Sequence, residues 1–97
     1  VYILYMLNYI VEFIGTFIFL SVILNTGEAM PIAIALAAVI YFGSGVSGGH
    51  FNPAVSTMML LKNNLSSADY IPYVVFQLLG GVCALYFYQM TQAKASK

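Results

Sequence analysis

The chain has 97 residues, 62% hydrophobic and 6% charged, with three basic residues balancing three acids, no arginine and no tryptophan. A soluble domain carries roughly 25% charged residues, so the composition excludes an ordinary soluble fold and makes a bilayer the better solvent. The absence of a basic patch excludes nucleic-acid binding. The lone Cys83 excludes an intrachain disulfide or a cysteine-based zinc site, and reads as a small packing residue.

The chain begins at Val1 rather than Met, so a fragment or a processed product is expected. No charged segment or small-residue cleavage site precedes the first apolar run, which reads as a retained span. It extends from about Tyr2 to Leu24 with only Asn8 and Glu12 as interruptions, and about 20 residues at 1.5 Å each cover the roughly 30 Å hydrocarbon core. Asn25-Thr26-Gly27-Glu28 has turn chemistry and ends it. A second span, from about Met30 to Ser44, tolerates Pro31 in its first turn. A glycine-rich stretch from Gly43 to Gly49 follows.

Asn52-Pro53 then has the form of a helix start: Asn at the N-cap and Pro at the first helical position. The apolar run from Pro53 to Leu61 is too short to span, and Lys62-Asn63-Asn64 closes it. A re-entrant half-helix over about 53–61 fits, starting near mid-membrane and returning to the side it came from. Its unpaired N–H groups and positive dipole end are placed where a solute can feel them. The third span covers about Tyr70 to Met90, with Ser67 or Asp69 as its cap, and the polar tail from Thr91 to Lys97 frays into water. Asn64-Leu65-Ser66 fits a glycosylation sequon but lies against the membrane and reads as chance.

The expected fold is thus an all-α membrane protein, one unit over residues 1–97, integral and multi-pass. Tyr2, Tyr5, Tyr70, Tyr73, Tyr86 and Tyr88 sit toward span ends, either as an interfacial belt or as ordinary lipid-facing packing. Lys62 lies on one side against Lys94 and Lys97 on the other, a balance that permits insertion either way. The scattered acids and the single His50 form no acid–base or metal cluster, so no enzyme activity, metal or cofactor is expected.

The run Ser47-Gly48-Gly49-His50-Phe51-Asn52-Pro53-Ala54-Val55 resembles the first-half signature of the aquaporin and aquaglyceroporin family, the major intrinsic proteins. Three more segments resemble the family in the right order: Glu12-Phe13-Ile14-Gly15-Thr16 its first helix, Tyr41-Phe42-Gly43 through Val46 the end of its second, and Gln77-Leu78-Leu79-Gly80-Gly81 its third. The resemblance covers about Tyr9 to Met90. It is to the first repeat, because Val55 follows Asn-Pro-Ala where the second repeat usually carries arginine. The family fold is an inverted repeat of six spanning helices and two half-helices meeting at their Asn-Pro-Ala ends, and this chain resembles one repeat of the two.

The resemblance implies a passive channel for water or small neutral solutes, glycerol-like molecules and ammonia included. Pore-lining roles fall to Asn52, Pro53, Ala54, His50, Gly48, Gly49, Phe51 and Ile32. Asn52 offers amide N–H groups to the path, so that a bound water oxygen turns its hydrogens outward and breaks a proton wire. Gly48, Gly49, His50 and Phe51 supply backbone carbonyls; the alternative for the glycines is helix packing through Gly45 and Gly49. The family places the His50 ring beside the pore, and a histidine bonded within the loop is the other reading. Glu12 and Gln77 correspond to residues that brace the re-entrant loop.

Counting twenty residues back from Asn52 puts the second-helix filter position at Ile32. An aliphatic residue there, with no arginine in the chain, makes a filter built from two copies wider and less polar than a strict water channel's. The pore needs a second repeat, and the preferred source is an antiparallel homodimer, with eight chains completing a family-like set of four pores. The alternative is a non-conducting fragment or structural membrane module that needs a full-length relative or a missing second half.

Overall fold

The computed structural model describes residues 2–95 and, among these, all side chains except those of residues 2, 3 and 5. The readings placed on the Tyr2 and Tyr5 side chains and on Lys97 lie outside the described residues. Four helices form: α1 (Tyr2–Thr26), α2 (Ala29–Ser47), α3 (Pro53–Leu61) and α4 (Ser67–Ala95), with no strand among the described residues. Three of them, α1, α2 and α4, are long and apolar enough to cross a membrane. The extents of 48 × 29 × 21 Å follow from α4, whose 29 residues span about 43 Å at 1.5 Å per residue.

Each boundary has a local cause. At the end of α1 the side chains of Asn25 and Thr26 donate to the carbonyls of Ser21 and Val22, at 2.8 and 3.0 Å. Gly27 then turns left-handed at φ +62°, the conformation in which glycine ends a helix without a Cβ clash. Helix α2 runs three residues past the expected Ser44, because Gly43 and Gly45 stay helical. It stops at Gly48, where φ reaches +91° and the N–H returns to the Ser44 carbonyl. Helix α3 keeps the expected bounds, starting at Pro53 behind the Asn52 cap.

Helix α4 departs most from the sequence reading. Its cap is Ser66, whose hydroxyl and carbonyl both accept from the Asp69 N–H, rather than Ser67 or Asp69. The Asp69 carboxylate instead accepts from the Tyr9 hydroxyl at 2.6 Å, tying the start of α4 to α1. At the far end the helix continues through Ala95, so the described part of the tail is helical, not frayed. Gln92, Ala93, Lys94 and Ala95 are good helix formers, and Lys94 in the last turn complements the dipole.

Helix α1 is the middle element, packed against α2 on one side and α4 on the other, while α3 rests on α4. The α1–α4 crossing is close because Gly80 carries no side chain: a Cβ there would stand 2.8 Å from the Phe13 carbonyl oxygen and 3.2 Å from the Phe17 nitrogen. Tyr9 stacks on Phe76 and meets Tyr73 edge-on across the same seam.

Burial is inverted relative to a soluble protein. Glu12, Thr16, Ser47, His50, Ser56 and Gln77 are buried, while Met30, Ile34, Tyr41 and Phe42 are 62–79% exposed. An apolar exterior around a polar, hydrogen-bonded interior is what a bilayer imposes on a spanning bundle. The chain is an integral, multi-pass membrane protein.

Candidate functional site: the re-entrant loop and the tip of the half-helix

Between α2 and α3 the chain turns back through Gly48, Gly49, His50 and Phe51. Gly48, Gly49 and Phe51 all have positive φ, at +91°, +67° and +54°. For the glycines this is free of steric cost; for Phe51 it is a strained conformation held by its surroundings. The turn aims the loop N–H groups at one carboxylate. Glu12, with no exposed surface, accepts from Ser47 Oγ at 2.7 Å and from the His50 N–H at 3.0 Å through Oε2. Through Oε1 it accepts from the Phe51 N–H at 2.7 Å and from Gln77 Nε2 at 2.8 Å. Four donors on a single carboxylate suit an acceptor-only group inside a membrane, where an unpaired N–H is costly.

The same amide of Gln77 donates to Ser56 Oγ at 2.8 Å, and His50 Nδ1 lies 2.9 Å from that hydroxyl. Tyr73 donates its hydroxyl to the Ser47 carbonyl at 2.6 Å, and the Gly49 N–H reaches Ser47 Oγ at 3.2 Å. One connected network therefore joins α1, the end of α2, the loop, α3 and α4. Because the N–H groups of residues 49–51 are consumed within it, the loop's carbonyls are left over. Those of Gly48, Gly49, His50 and Phe51 accept no hydrogen bond from the described residues.

Asn52 sits at the exposed tip. Its Oδ1 accepts from the Ala54 N–H at 2.8 Å, which fixes the carboxamide and leaves Nδ2 without a partner among the described residues. Beside it lies a groove of about 440 Å³ between α1 and α4, walled by Thr16, Leu20, Phe51, Pro53, Gln77 and Leu78 among others. Thr16 Oγ1 and Gln77 Oε1, both buried, find no partner among the described residues.

The structure thus brings Glu12, Gln77, His50, Gly49, Phe51, Asn52 and Pro53 together, with Gly48 and Ala54 exposed at the margins. Ile32 stands apart, near the start of α2 and about 22 Å along its axis from Ser47 at 1.5 Å per residue. Gly45 meets nothing within 4 Å, so the packing glycines are elsewhere: Gly15 and Gly43 face the Phe51 ring.

Ser47, Ser56 and Tyr73 belong to the network and escaped the sequence reading. A serine inside an apolar half-helix was the available signal for Ser56. Tyr73 is a correction: 2% exposed, it is neither a belt residue nor lipid-facing, because the carbonyl it serves, that of buried Ser47 at the end of α2, lies inside the bundle.

The profile described as Major intrinsic protein matches residues 3–97. Glycerol uptake facilitator protein-like 6 of Lactiplantibacillus plantarum is 40% identical over 88 residues, covering 81% of this chain and 41% of that protein. Aquaporin PIP1-6 of Zea mays is 38% identical over 91 residues, covering 76% and 31%. Aquaporin Z of Brucella melitensis is 41% identical over 58 residues, covering 60% and 25%. The chain therefore spans less than half the length of these relatives. No solved structure matches it.

Proposed function

The chain belongs to the major intrinsic protein family, and on that premise we propose that it forms one half of a passive transmembrane channel for water or small neutral solutes. The observation that carries the reading is the tip of the re-entrant loop. There a fixed carboxamide donor, Asn52 Nδ2, stands next to four carbonyl acceptors with no partner among the described residues. A file of donors and acceptors at this depth suits small neutral hydrogen-bonding molecules. The Glu12 carboxylate is buried behind the loop, bonded to four donors, and does not line the groove. The positive end of α3 disfavours cations at the tip.

The channel is completed by a second repeat. The groove beside Asn52 supports this, because buried polar atoms such as Gln77 Oε1 and Thr16 Oγ1 normally find partners. We propose an antiparallel homodimer as the source, with the near balance of Lys62 against Lys94 and Lys97 permitting both orientations, and eight chains in an assembly of four pores. With aliphatic Ile32 at the second-helix filter position and no arginine in the chain, a filter built from two copies is wider and less polar than a strict water channel's and passes glycerol-like solutes or ammonia as well as water. The relatives are named as aquaporins and a glycerol uptake facilitator, which supports both solute classes and supports a channel rather than an enzyme.

The coverage of at most 41% of the relatives cited favours a second reading: the chain conducts only with a full-length relative or with a second half of its own. Vesicles containing only the purified chain separate the two. Osmotic and glycerol-driven shrinkage faster than in empty vesicles supports the homodimer; permeability equal to that of empty vesicles refutes an autonomous pore. A carboxy-terminal tag found on one side of the membrane in every copy refutes the antiparallel pairing.

A further inference from the structure

The ring of Phe51 separates two grooves. On its inner side is the groove that carries Asn52, Gln77 and Thr16. On the outer side, between α1 and α2, lies a second groove of about 340 Å³ lined by Val11, Ile14, Val39, Phe42, Gly15 and Gly43 among others, with no polar side chain on its wall. Gly15 and Gly43 are common to both settings: they line the outer groove, and they form the socket of the ring. A Cβ at Gly15 would fall 2.6 Å from Phe51 Cδ1 and 2.7 Å from its Cζ, and one at Gly43 would fall 2.8 Å from Cζ. At this height both helices present a glycine to the ring; at Gly15 the three nearest atoms to a Cβ all belong to Phe51, and at Gly43 the ring shares the space with Val11 Cγ1, 3.1 Å from a Cβ there.

The backbone gives a second, independent indication. Phe51 is held at φ +54°, where glycine would sit without strain, yet a bulky residue occupies the position and is 2% exposed. Strain of this kind persists where the surroundings over-determine it, and it points to a use for the side chain. That use is distinct from the hydrogen-bonding brace, because the Phe51 N–H reaches Glu12 whatever side chain the residue carries.

We infer that Phe51 is a positioning and specificity residue: its ring seals the α1–α2 seam, keeping water and polar solute out of the apolar outer groove and apolar molecules out of the path. This rests on the reading that the Asn52 groove carries the solute. The size of residue 51 then decides whether the two grooves are separate or joined. A small residue opens a lateral window between the path and whatever apolar surface covers the outer groove, on the Gly15 side of the seam, where the nearest atoms are those of the ring.

The test uses the full chain in lipid vesicles, with Cys83→Ala removing the native exposed thiol and a charged, membrane-impermeant thiosulfonate as the probe. Three single reporters are compared: Leu78→Cys in the inner groove, Ala38→Cys in the outer groove, and Ile34→Cys on the exposed face of α2. With Phe51 intact, only the thiol at position 78 is modified, since a thiol in apolar surroundings neither ionises nor meets the reagent. With Phe51→Ala, modification at position 38 rises from background toward the rate at position 78, while position 34 stays silent. Phe51→Leu gives an intermediate rate at position 38, and it decides the matter if Phe51→Ala exposes position 34 through unfolding. Position 38 silent in the smaller variants, with position 78 modified, overturns the barrier role alone. Position 78 silent with Phe51 intact overturns the solute-path reading and the barrier with it.

Discussion

Replacing Glu12 by glutamine tests the loop brace with little change of volume. The carboxylate serves four donors, two on each oxygen. An amide keeps one acceptor oxygen and turns the other position into a donor, so two existing donors lose their acceptor. The least costly arrangement places the new NH₂ toward Ser47 and His50. The Ser47 hydroxyl can reverse and accept, and it already lies 3.4 Å from the Gly43 carbonyl; the His50 N–H cannot. One buried N–H is then stranded, at about 1–3 kcal/mol. The opposite arrangement strands both the Phe51 N–H and a Gln77 amide hydrogen and is disfavoured. At about tenfold per 1.4 kcal/mol, opening of the loop in Glu12→Gln becomes roughly five- to 150-fold more frequent. Amide hydrogen exchange at His50 and Phe51 in lipid nanodiscs reads this directly, with α4 core amides as an internal reference. Unchanged exchange at both residues in Glu12→Gln would refute the claim that this carboxylate holds the loop.

The remaining predictions concern the tip and the glycines. Asn52→Asp retains the oxygen that accepts from the Ala54 N–H at 2.8 Å but adds a negative charge at the constriction; cation leak in vesicle flux assays is expected to rise, and an unchanged leak would place Asn52 away from the path. Gly15→Ala drives a methyl group into the Phe51 ring and is expected to cost about 1–3 kcal/mol or more by overpacking, read as a lower melting temperature in detergent. Gly45→Ala, with nothing within 4 Å, is expected to cost nothing, and equal losses in the two variants would contradict the socket. Ser66→Ala removes the side-chain acceptor of the Asp69 N–H and leaves only the Ser66 carbonyl at 3.2 Å; it should weaken the first turn of α4 by about 0.5–2 kcal/mol, seen as faster exchange at Asp69 with the far end of the helix unaffected.

The sequence by itself determined the membrane class, the three spans, the half-helix and its start at Asn52-Pro53. These depend on quantities that are local along the chain: apolar run length against bilayer thickness, and the chemistry of a capping residue followed by proline. It also marked Glu12 and Gln77, because polar groups within an apolar span need partners. Where α2 and α4 stop was less legible. Gly43 and Gly45 are compatible with both helix and turn, and only the left-handed turn at Gly48 settles the end of α2.

The tertiary structure alone decided which groups meet. Glu12 and Gln77 are 65 residues apart, and no spacing rule connects them to each other or to Ser47, Ser56 and Tyr73. Tyr73 looked interfacial because sequence position reports depth only approximately and says nothing of which way a side chain faces. The ring of Phe51 is the clearest case: in sequence it is one apolar residue before Asn52, while in the fold it fills the space that Gly15 and Gly43 leave on two other helices. Burial and hydrogen bonding between distant segments are properties of the packed bundle, whereas span length and helix starts are already properties of the chain.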